Sequence, residues 1–140
     1  MFTPSRDEVR RFFFETWRKH SIGETLAGLE HTALAVLTLH PEYHRLLDDT
    51  GRNLERDYPP ETGEVNPFLH LSLHLALEEQ ISIDQPPGVR AEFERLRGKL
   101  GSEHDALHAM LECLGETLWQ AQREGAAPEQ TSYLDCIRRK

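Results

Sequence analysis

Cysteine is scarce: among 140 residues only Cys113 and Cys136 occur, far apart and without Cys-x-x-Cys spacing. That excludes a disulfide-dense secreted scaffold and a cysteine-rich zinc module. A reduced chain is expected, each thiol a small buried filler, although either could act as a ligand. Long apolar runs are missing too. None approaches the roughly 20 residues needed to cross a bilayer, so no membrane partner is expected. The opening stretch MFTPSRDEVRR lacks a signal-peptide pattern, which points to a cytoplasmic protein. Positive charge is in deficit: 16 Lys and Arg stand against 24 Asp and Glu, a net charge of −8. A non-specific nucleic-acid binder needs a basic footprint, so that class is excluded. Arg10, Arg11, Arg18 and Lys19 do cluster, but they alternate with Glu and Phe as on a solvated helix face. Strand alternation, low-complexity tracts and repeats of solenoid length are also absent.

What is present is helical periodicity. The spacing of Ser5 and Glu8 is a capping box, predicting a helix from about Pro4 to His20 with Val9, Phe13, Thr16, Trp17 and His20 on its core face. Leu26, Leu29, Ala33, Val36 and Leu37 predict a second helix to Leu39, with Glu30 and His40 in its apolar arc. Pro41 disfavours helical geometry at His40, so the helix should end or kink there. His40 to His44 then starts a short helix to about Leu47. Asp48 to Val65 reads as a long connection around Tyr58-Pro59-Pro60. Helices follow from Asn66 to near Ser82, from Val89 to Leu100, and from Glu103 to about Arg123, the last capped by Ser102. A short terminal helix holds Tyr133, Leu134 and Ile137. The fold class expected is all-α: a single domain, residues 1–140, forming a bundle of about five or six helices.

The chemistry concentrates in NPFLHLSLHLALEEQI, residues 66–81. Asn66 is a good N-cap and Pro67 suits the first helical position. Leu71, Leu73, Leu75, Leu77 and Ile81 form one apolar arc, and His70, His74 and Glu78 fall within it. Ionisable side chains aimed into a core need a metal, a ligand or one another. The same His-x-x-x-His-x-x-x-Glu spacing returns at His104, His108 and Glu112, on the flank of the stripe formed by Leu107, Met110, Leu111, Leu114 and Leu118. Six of the eight histidines fall in three such pairs, His40/His44 being the third. Chance placement would supply on the order of half a pair. Two imidazoles at i and i+4 stand about 5–6 Å apart at Cβ, close enough to chelate one ion. The i to i+8 span is about 12 Å, so one ion cannot take all three residues of a series.

Candidate metal ligands are therefore His70, His74, His104 and His108, with Glu78 and Glu112 as bridging or terminal carboxylates. Glu30 and His44 are second-tier candidates. Mixed imidazole and carboxylate donors suit iron, zinc or manganese. With an open coordination position, one or two such ions could activate water or dioxygen, Glu78 or Glu112 taking the proton. The Glu-x-x-His spacing of ferritin-like di-iron sites is absent. A different class is also open: a non-enzymatic interaction or scaffold protein, a homodimer for example, with a buried His/Glu hydrogen-bond network. His20 and His31 read as cap and surface residues.

Taken together, PSRDEVRRFFFETWRK, HPEYH, NPFLHLSLHLALEEQ, SIDQPPG and EHDALHAMLECLGETLWQAQR resemble an uncharacterised bacterial family, domain of unknown function 1841. The resemblance covers nearly the whole chain and implies a small cytoplasmic bacterial protein without an assigned reaction. A looser similarity links the chain to DinB-like metal-dependent bundles, which place one His on one helix and a His-x-x-x-His pair on another. That similarity implies a mononuclear zinc or nickel hydrolase or transferase. The repeated series on two helices departs from its pattern.

Overall fold

The computed structural model describes residues 6–49, 51 and 66–140. The Ser5 cap and the connection around Tyr58-Pro59-Pro60 lie outside the described residues. The protein is all-α: seven α-helices and one 3-10 turn are described, and no strand occurs among the described residues. Helix α1 spans Arg6–Ile22, α2 Leu29–Thr38, the 3-10 turn Pro41–Tyr43, α3 His44–Leu47 and α4 Pro67–Ile83. Helices α5 (Val89–Leu100), α6 (Glu103–Glu124) and α7 (Gln130–Arg138) complete the order. The count is slightly above five or six, and the short helix expected to end near Leu47 is present as the four-residue α3. The chain divides into two compact units, residues 1–72 and 73–140, and the division falls within α4.

In the first unit, α1 buries Phe13, Phe14 and Thr16 while Val9 and Trp17 are half-buried and His20 is exposed. The guanidinium of Arg10, almost fully buried, lies 4.6 Å over the Phe68 ring. A cation over an aromatic face recovers part of the desolvation its burial costs. Helix α2 starts at Leu29 rather than Leu26. Gly28 occupies the N-cap at φ 57°, and Glu30 turns back so that its Oε1 accepts from the Ala27 N–H at 3.0 Å. Three residues are thereby diverted from helix into its capping turn. The helix ends where proline predicts: His40, just before Pro41, has φ −126° and ψ 65°.

The second unit has a continuous core of Leu77, Val89, Phe93, Leu96, Ala106, Leu107, Met110, Leu111, Cys113, Leu114, Tyr133 and Ile137. Its helix boundaries follow local chemistry. Asp84 Oδ1 accepts from the Gly88 and Arg90 N–H groups at 3.2 and 3.0 Å, setting the turn into α5. Ser102 caps α6 by accepting from the Asp105 N–H at 3.2 Å, and Gly125, at φ 64°, closes that helix in the left-handed conformation that a side chain would strain. Cys113 and Cys136 are joined in a disulfide between α6 and α7. This corrects the expectation of two reduced thiols. Packing α7 against α6 brings their Cα atoms to 5.7 Å across a sequence separation of 23 residues, inside the range a disulfide can bridge. Sequence spacing alone carries no sign of that approach.

Candidate metal centre

Helix α4 is the element on which the site is built. Asn66 caps it as its sequence suggests, with Oδ1 accepting from the Phe68 and Leu69 N–H groups at 3.0 and 3.3 Å. The cap satisfies two of the free donors at the helix start and fixes the phase of the next turns. Leu71, Leu75 and Leu77 are buried, and His70 and His74 lie one turn apart on the same helix. His74 is fully buried and His70 half-buried.

Within the first unit, His70 meets His40. Their Nε2 atoms are 3.2 Å apart and the rings stand edge-on at 75°. His40 is almost fully buried, and its Nδ1–H donates to the Val36 carbonyl at 2.8 Å. A carbonyl can only accept, so in neutral His40 the proton resides on Nδ1 and Nε2 carries a lone pair. A backbone partner on the far nitrogen is the usual way a ligating imidazole is oriented. Tyr43 stacks on the His40 ring at 5.7 Å and 8°, and burial pushes its phenol pKa upward. His44, a candidate from sequence, is placed elsewhere. Its Nε2–H donates to the Leu37 carbonyl at 2.8 Å and its ring lies 4.4 Å from the Trp17 ring.

Within the second unit, His74 meets His108 of α6. The two Nε2 atoms are 3.0 Å apart with rings at 63°. His104, one turn earlier on α6, sets its ring 4.0 Å from that of His108. Glu78 is half-buried, and its carboxyl pKa is raised by desolvation, with a smaller contribution from the negative charge of Glu103. Glu112 is far out: its side chain is 71 % exposed and forms an ion pair with Lys140. Glu30 is engaged with Lys19 at 3.0 Å as well as with the Ala27 N–H. The ammonium of Lys19, followed by the Ala27 N–H, holds the Glu30 carboxyl below its ordinary value.

Among the described residues, candidate donors come together as one pair in each unit, His40 with His70 and His74 with His108. Three of these carry the sequence signal. Of the His40/His44 pair, His40 and not the second-tier candidate His44 takes this place, and the deciding residue is Pro41. By breaking the helix it takes His40 off the α2 wheel and turns its ring toward α4. A cavity of about 570 Å³ in the first unit is lined by Phe14, Trp17, Ile22 and Leu47 among others, and none of the four histidines lines it.

An all-α chain carrying two close histidine pairs, each built on the same helix, defines a class of protein rather than a reaction. The chain belongs to the family described as domain of unknown function 1841, whose model matches residues 5–139. No curated protein and no solved structure matches it.

Proposed function

We propose that this protein binds one or two transition-metal ions through ring nitrogens of its two histidine pairs, His40 with His70 and His74 with His108. The observation that carries the reading is that each unit brings two imidazole nitrogens together, one from each residue of its pair. In a tetrahedral site with metal–nitrogen bonds of ~2.0–2.1 Å, neighbouring nitrogens stand about 3.3 Å apart. Separations of 3.2 and 3.0 Å within the two pairs are near that edge length. The Nδ1–H of His40 adds support, since it leaves the Nε2 lone pair directed at His70.

Paired neutral imidazoles suit zinc or iron. Manganese, which favours oxygen donors, fits only if a carboxylate such as Glu78 joins. An ion bound there would supply a Lewis-acidic centre. Glu78, one turn beyond His74, is the side chain assigned to accept a proton beside it. His104 supports the ring of His108.

The second reading is a metal-free network in a scaffold protein, and the same short separations favour it, because they also suit N–H···N bonds. Elemental analysis of the untagged protein from metal-replete cells separates the two. One or two equivalents of zinc or iron per chain are expected for the metal reading. Less than about a tenth of an equivalent of any transition metal would remove it.

A further inference from the structure

The histidine pairs leave one device of the second unit unused, the disulfide joining α6 to α7. Helix α7 has nine residues, too few to be stable alone, since isolated helices below about 12–15 residues are marginal in water. Its N-cap, Glu129, makes no side-chain capping bond. Tyr133 and Ile137 are the α7 side chains fully committed to the core. Leu134 packs on that core but is only partly buried, and the remaining ties are single polar contacts, among them an ion pair of Arg138 with Glu92 at 3.6 Å. Tyr133 Oη–H donates to Gln80 Oε1 at 2.7 Å, and Arg95 donates to the Ile137 carbonyl at 3.0 Å. A helix so short, with two deep anchors, depends on its covalent tie to stay docked. The tie is asymmetric as well. Cys113 is completely buried, while Cys136 is half-buried on the α7 side.

We infer that the Cys113–Cys136 disulfide is a redox latch holding α7 on the second unit, and that a cellular dithiol releases it. A thiolate of the dithiol attacks Sγ of Cys136, the less buried of the two residues, forming a mixed disulfide and freeing Cys113 as a thiolate that takes a proton. The second thiol of the reductant then attacks the mixed disulfide. Cys136 leaves as a thiolate and is protonated, and the reductant departs as its own cyclic disulfide. Two electrons pass from the dithiol to the cystine, and two protein thiols remain. Once α7 is free, Tyr133 no longer braces Gln80, six residues beyond His74, and Cys113 no longer anchors α6 five residues beyond His108. Release therefore loosens the helices that carry the second pair.

The test is amide hydrogen exchange on the full chain, oxidised and after reduction with a non-chelating phosphine, with Cys136→Ser as a reductant-free counterpart. Exchange over residues 130–138 should accelerate on the order of a hundredfold in both reduced and variant protein, as expected for removing a loop closure of this size. The α6 core around Leu107 and Met110 should change far less. Protection of 130–138 that stays within threefold of the oxidised value overturns the latch. Zinc titration of the same samples reads the coupling to the histidines, with about tenfold weaker binding expected after reduction. Absence of zinc binding in every form counts against the metal reading alone, because exchange judges the latch independently.

Discussion

Replacing His74 with glutamine is the perturbation that most sharply separates a ligand from a packed residue. His74 is completely buried, so the substitution must keep volume and polarity; glutamine does both while removing the ring nitrogen 3.0 Å from that of His108. In metal-free protein the cost should be that of one rearranged hydrogen bond, about 1 kcal/mol. Zinc at a hundred times its dissociation constant stabilises the wild type by about 2.7 kcal/mol through mass action. A variant binding about a hundredfold more weakly gains only about 0.4 kcal/mol at the same zinc concentration. The difference, about 2.3 kcal/mol, corresponds to roughly 8 °C in melting temperature for a chain of this size. Thermal unfolding followed by circular dichroism, with zinc and with chelator, measures both quantities. An equal zinc-induced shift in wild type and variant refutes the assignment of His74 as a ligand.

Three further outcomes follow from particular side chains. Glu112→Ala should leave metal content unchanged in elemental analysis and stability within about 0.5 kcal/mol in urea titration, because it removes an exposed pair with Lys140. Tyr133→Phe deletes the hydroxyl that Gln80 accepts from and should cost ~1–1.5 kcal/mol in the same titration. Glu78→Gln should raise the melting temperature of the metal-free protein at pH 7. The sign comes from the raised carboxyl pKa of Glu78. Protonation is favoured in the folded state, so the native structure is relatively more stable at low pH and loses that advantage as pH rises through the folded pKa. The variant's gain should vanish below the unfolded value of about 4.3.

Much of the architecture was legible because it is written in local chemistry. Asn66 and Ser102 caps, the break before Pro41 and the close at Gly125 all mark helix ends through hydrogen bonds or backbone dihedrals that neighbouring residues decide. The inward aim of His70 and His74 was legible for a similar reason, since their phase is locked to the leucines of the same helix. Features settled by which helix meets which were not. Nothing in the spacing of His40 and His44 shows that one ring turns to α4 and the other to a carbonyl of α2. Glu112 sits on the flank of the α6 stripe, and the arrival of Lys140 at the end of the chain decides its partner. The disulfide likewise depends on the docking of α7. Glu30 shows local competition: its carboxylate caps α2 and pairs with Lys19.

The most direct measurement of the central claim is X-ray absorption at the zinc edge of the full chain loaded with one equivalent of zinc. Coordination by the histidine pairs predicts a shell of nitrogens at about 2.0–2.1 Å with the outer-shell scattering of imidazole rings. A shell of sulfur, or one made mainly of carboxylate and water oxygens, would contradict it.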